Sequence, residues 1–162
     1  MPDETTKDAY ILPVDGISEM PLTAIKLDWL YNEITLYPSQ RVIVFLDACF
    51  SGGSRDGMLA KGRGVKIKPK YNILKNNIVV FSATSDSQTA YPYEEMKHGL
   101  FTYYLLEKFN KSLGKTTLGE LYEYVNSNVE QKAIVVKKRP QTPTVNTSND
   151  FLDTWKEKTL IE

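Results

Sequence analysis

The stretch Val42-Ile43-Val44-Phe45-Leu46-Asp47-Ala48-Cys49-Phe50-Ser51-Gly52-Gly53 decides how the rest of the chain is read. Its first five residues are apolar and do not alternate with polar ones, which fits a strand covered on both faces, as in a parallel sheet. The strand delivers an aspartate and the chain's one cysteine to its C-terminal end, where open α/β sheets collect their reactive groups. Gly52 and Gly53 let the backbone turn sharply and expose its N–H groups, and such groups beside a nucleophile can hold an oxyanion. A thiolate is a good nucleophile. Asp47 lies two residues before Cys49, so in a strand both side chains share a face. A lone cysteine after a strand is more often a small buried hydrophobe, and Asp47 can equally be a cap or turn acceptor. The segment alone leaves these alternatives open.

Outward from it, the pattern alternates. Tyr10 to Val14 reads as a strand closed by Pro13 and Asp15-Gly16. Leu27, Leu30, Tyr31 and Ile34 have helical spacing, and Pro38 ends that helix. Residues 51 to 72 are rich in Gly, Lys and Arg and read as a long loop. Ile78-Val79-Val80-Phe81 repeats the buried-strand signature. Gly99 to Lys111 reads as a helix. Thr117 and Glu120 make a capping box ahead of a second helix, with a stripe of Leu118, Leu121, Tyr122, Val125 and Val129. Arg139 to Val145, with Pro140 and Pro143, is extended. Phe151, Leu152 and Trp155 imply a C-terminal tail that packs back on the domain. Buried strands alternating with amphipathic helices predict an α/β sheet with helices on both faces.

The chain has 162 residues, enough for one domain with a real core. Lys plus Arg and Asp plus Glu are both 20, so the net charge offers no footprint for nucleic acid or an anionic membrane. No apolar run approaches the ~18 residues of a membrane helix. One cysteine excludes an intrachain disulfide and favours a reducing compartment, here the cytoplasm. Lys61 to Lys70 holds five basic residues and no acid. Such a block usually marks a solvated loop.

Several segments together resemble the caspase-fold cysteine peptidases, especially metacaspases and bacterial members. Asp47-Ala48-Cys49-Phe50-Ser51-Gly52 is similar to their nucleophile segment, with Phe50 where metacaspases carry His. Tyr10-Ile11-Leu12-Pro13-Val14-Asp15 resembles the strand that follows the catalytic histidine. Ser82-Ala83-Thr84-Ser85-Asp86-Ser87-Gln88-Thr89-Ala90 resembles the start of the small-subunit part. His98 to Leu106 and Gln141-Thr142-Pro143 resemble the later helix and strand. The resemblance runs from about residue 9 to residue 146. It implies a three-layer α/β/α sandwich with a mostly parallel central sheet, a single domain over 1–162. Within it, the large-subunit-like part covers about 1–60, a basic linker about 54–72 and the small-subunit-like part about 73–150. The family's histidine lies roughly 50 residues before the cysteine, which places it upstream of Met1. The first strand and the histidine loop are therefore expected to be missing from this chain, and the chain alone is expected to be inactive or nearly so. A strand lost from a sheet exposes an edge, so a homodimer or strand-swapped assembly is expected.

The resemblance implies a cysteine endopeptidase with Cys49 as nucleophile and amides near Gly52 as oxyanion donors. Asp47 matches the metacaspase position associated with cleavage after Arg or Lys, so it is the expected charge partner of the substrate. Asp86, also readable as a turn residue, and Ser82 are expected in the same pocket. Lys61 or Arg63 is a candidate self-processing site. The one histidine, His98, opens the helix in relatives and is expected in a helix-start or packing role. Many metacaspases require calcium, but Asp3, Glu4, Asp8, Asp15 and Glu19 lack EF-hand spacing. With one Cys and one His, no zinc site of those ligands forms. No cofactor or required metal is expected, and the partner is a peptide or protein substrate. The other readings are a non-catalytic caspase-like binding or scaffold module and a different α/β hydrolase with a cysteine nucleophile. The last would need His98 as base.

Overall fold

The computed structural model describes residues 8–16, 21–48, 74–85 and 88–161, and the basic loop expected over 51–72 lies outside them. The described chain starts with an antiparallel ribbon, β1 (Tyr10–Ile11) against β2 (Ile25–Lys26). β1 is shorter than the run Tyr10 to Val14 because the Gly16 amide already donates to the Pro13 carbonyl at 2.9 Å, which closes the turn. β2 leads directly into α1 (Leu27–Ile34), which buries Leu27. The Thr35 hydroxyl donates back to the Tyr31 carbonyl at 2.8 Å and ends the helix ahead of Pro38. Asn76 Nδ2 donates to the same hydroxyl oxygen at 3.0 Å, tying α1 to the approach of a later strand.

Then come β3 (Val42–Leu46) and β4 (Ile78–Ser82), the hairpin of β5 (Pro92–Tyr93) and β6 (His98–Gly99), α2 (Leu100–Ser112), α3 (Leu118–Lys137) and β7 (Thr144–Thr147). α3 starts where the sequence places it. Thr117 accepts from the Glu120 amide at 3.1 Å, and the Glu120 carboxylate accepts from the Thr117 amide at 3.3 Å. Left-handed residues, Leu113 and Lys138, end α2 and α3. No helix among the described residues is long and apolar enough to cross a membrane.

The central sheet has the order β3-β4-β7. β3 and β4 run parallel, from Val42 opposite Ile78 to Leu46 opposite Ser82. β7 joins the other side of β4 antiparallel, with Thr144 opposite Ser82. Among the described residues the sheet is thus mixed, not mostly parallel. The reason lies in the connection. A single crossover helix would return the chain to the start of β4 and give a parallel neighbour. Here α2 and α3 form a packed pair. The second helix undoes the travel of the first, so β7 begins where β4 ends.

Val79 and Phe81 point to one face and meet Leu100, Phe101, Leu105, Leu121 and Val125 of the helix pair. Ile78 and Val80, on the opposite face by alternation, are equally buried. β4 therefore matches the expectation of cover on both faces. β3 does not, for all five of its residues are only half-buried. The C-terminal tail packs under the sheet's aromatic face. Trp155 stands edge-on to Phe81 at 6.1 Å and to Tyr122 of α3 at 6.0 Å. The Leu118 amide donates to the Lys158 carbonyl at 2.7 Å, which seats the tail against the first turn of α3.

Candidate active site

Because β3 and β4 are parallel, both deliver their C-terminal ends to the same side of the sheet. The Ala83 amide donates to the Leu46 carbonyl at 2.8 Å and fixes the last step of that register. Asp47 follows immediately. By alternation it shares the face of Phe45, whose ring meets Phe81 at 5.1 Å and Phe109 of α2 at 5.9 Å. The carboxylate is carried toward the start of α2, where Thr102 Oγ1 donates to Asp47 Oδ2 at 2.6 Å. Gly99, the residue capping α2, lies against the same carboxylate.

Asp47 opens onto a cleft of about 510 Å³ whose walls include Tyr93, Glu94, Lys97, His98 and Thr102. The hairpin of β5 and β6 forms most of that wall. Lys97 takes a left-handed conformation, φ 56°, at its tip. Glu94 is exposed and pairs with Lys137 of α3 at 2.8 Å. The hydrogen bond from Lys137, then its charge, hold the Glu94 carboxyl below the usual range. Asp47, its Oδ1 buried, is the other carboxylate of the cleft lining. Tyr93 meets Tyr103 edge-on at 5.0 Å, and Lys132 Nζ stands 4.6 Å from the Tyr93 ring centre. The bond with Tyr93 raises the Lys132 ammonium pKa.

The residues singled out in the sequence fare differently. Asp47 lines the cleft. His98 joins it there; it stands at the helix start, as expected, but exposed, so its place is not a packing one. Ser82 ends β4 beside Leu46, half-buried, one strand away and on the opposite face by alternation, and the described cleft lining does not include it. Cys49, Gly52, Lys61, Arg63 and Asp86 lie outside the described residues. Among the described residues no group of three or more His, Cys, Asp or Glu side chains could hold a metal ion.

Sequence reasoning missed the residues that brace this end of the sheet. Gln141 is fully buried. Its Oε1 accepts from the Tyr91 amide at 2.8 Å and its Nε2 donates to the Ala83 carbonyl at 3.0 Å. Gln88 returns the favour from the other side, accepting from the Thr142 amide at 2.6 Å. The two amides lock the segment after β4 to the approach of β7. Thr102 was also missed. The signal available for both was a polar residue inside an otherwise apolar or Pro-restrained stretch, which needs a partner if buried.

The chain from residue 2 to residue 152 matches the family of the caspase domain, a peptidase family. It belongs to the caspase-domain family. No curated protein matches it. In a caspase domain the coarse architecture is α/β, and the sheet and helices described above agree with that. The match spans both Asp47 and Cys49.

Proposed function

We propose that this caspase domain is a cysteine endopeptidase that cleaves after arginine or lysine. One observation carries the reading. Asp47, two residues before Cys49 and just past the end of a parallel strand, lies in the lining of an open cleft, its Oδ1 buried and its Oδ2 accepting from Thr102. A fixed carboxylate there attracts a cationic side chain, arginine or lysine. Asp86 is the further pocket residue in this reading. The domain is taken as a three-layer sandwich whose sheet continues past β3.

The chemistry follows from the residue types. A histidine base takes the thiol proton, and the Cys49 thiolate attacks the scissile carbonyl to form a C–S bond. Backbone amides near Cys49 and Gly52 hold the oxyanion. The C–N bond breaks, the leaving amine takes the proton from the imidazolium, and water then hydrolyses the thioester. Base assistance is worth roughly 100- to 10,000-fold. Lys61 or Arg63 is the site of self-cleavage. No cofactor or metal takes part.

The test compares this chain with a longer form carrying the residues encoded upstream, on peptides with Arg, Lys or Asp before the scissile bond. The longer form is expected to prefer Arg and Lys to Asp, and to lose all turnover on Cys49→Ala. Asp47→Asn should lower Arg turnover roughly 10- to 100-fold, the worth of a hydrogen bond to a charged group. Equal loss on every peptide would remove Asp47 from the pocket. Steady turnover by this chain alone would remove the upstream base. An upstream sequence without a strand and histidine turn would favour the binding-module reading.

A further inference from the structure

Gly99 has φ −69° and ψ 151°, a conformation open to any residue. Its missing side chain therefore answers a need for room and not for torsional freedom. Asp47 takes the room. A Cβ built on Gly99 would overlap the Asp47 carboxylate, lying 2.9 Å from its Cγ. In the first turn of α2, the Thr102 hydroxyl donates to Asp47 Oδ2 at 2.6 Å. One residue yields space and another supplies a donor, and both act on the same group.

We infer that Thr102 is a positioning residue for Asp47, with Gly99 forming its seat, and that together they fix the carboxylate, its Oδ1 buried, so that its Oδ2 edge meets the cation that enters the cleft. The inference rests on the reading of Asp47 as the substrate's charge partner. Thr102 touches neither the scissile bond nor the nucleophile in this account; it acts through Asp47. The role belongs to the hydroxyl, so serine should serve and valine, which keeps the shape, should not.

The experiment uses the chain as it stands and needs no peptidase activity. Three-bond couplings report the Asp47 side-chain rotamer by NMR, and agmatine, a guanidinium on an aliphatic stem, is titrated as the probe. The native chain should hold Asp47 in one rotamer. Thr102→Val should let it average and weaken agmatine about tenfold, and Thr102→Ser should restore both. Gly99→Ala should displace the carboxylate by a separate route, which keeps the test alive if Thr102→Val fails to fold. An Asp47 rotamer unchanged in the folded variants overturns the inference, whatever agmatine does. Agmatine binding indifferent to Asp47→Asn overturns the charge-partner reading instead, and with it any recognition role for Thr102.

Discussion

β3 and β4 are neighbours of the same length and nearly the same composition, yet they live in different surroundings. β4 reads Ile78-Val79-Val80-Phe81 and is 0–3% exposed over those residues. β3 reads Val42-Ile43-Val44-Phe45-Leu46 and is half-buried throughout. β4 has a strand on each side; β3 pairs with β4 alone among the described residues. The Val42 amide donates to the Asn77 carbonyl at 2.8 Å. By the two-residue repeat, Val42, Val44 and Leu46 direct their amides to β4, and Ile43 and Phe45 direct theirs to the open side. The difference teaches that an apolar run records the cover a strand is built to accept. β3 has the composition of an inner strand without the Lys or Pro that usually guards an edge.

The comparison breaks or sharpens first on Phe45 and Phe81, which face each other in register. Phe81→Ala should cost about 3–5 kcal/mol, and Phe45→Ala about half of that. Urea unfolding measures both, and equal costs would mean that β3 is as well covered as β4. Amide hydrogen exchange reads the edge directly. Ile43 and Phe45 should exchange about a hundredfold faster than Val44 and Val80, in line with the low protection of unpaired edges. Equal protection would reveal a further strand along β3. If that protection grew with protein concentration, the strand would come from a second copy.

A smaller effect is expected where the end of β4 is braced. Gln141→Leu removes the partners of the Tyr91 amide and the Ala83 carbonyl and should cost about 1–3 kcal/mol. Denaturant midpoints no different from the native chain would show that water replaces the amide. The smallest effect concerns the helix pair that covers β4. Glu107 of α2 accepts from the Tyr124 hydroxyl of α3 and pairs with Lys111 at 3.3 Å. The Tyr124 bond, then Lys111, hold its carboxyl below the usual range. A carboxyl depressed in the folded state stabilises fully above its unfolded value of about 4.3, and that contribution is lost as pH falls through the folded value. Thermal melts should therefore drop below about pH 4. Glu107→Gln should flatten that drop only slightly, since the pair is largely solvated.

Much of this fold was legible in the sequence because its causes are local. α1 follows from the spacing of Leu27, Leu30, Tyr31 and Ile34 and from its stop before Pro38. α3 follows from the Thr117 and Glu120 pair. The parallel pairing of β3 with β4 follows from two unbroken apolar runs. What escaped depends on partners far along the chain. Val42 to Leu46 look alike whether two strands or one flank them. The antiparallel entry of β7 follows from α2 and α3 pairing, not from Thr144 to Thr147 themselves. At the site, Asp47 was legible by its place after a strand. Thr102 was not, since a threonine in a first helical turn looks ordinary until a carboxylate from another element arrives beside it.

The seat of Trp155 against Phe81 has a consequence for synthesis. The two rings are far apart in the chain, so during translation Phe81 leaves the ribosome well before its lid exists. Contacts of such long range slow folding. In that interval β4 presents a bare apolar face in an unfinished polypeptide, the kind of surface that chaperones grip and that aggregation recruits. Closing the domain is then a late event, set by the arrival of its tail and not by the formation of its strands.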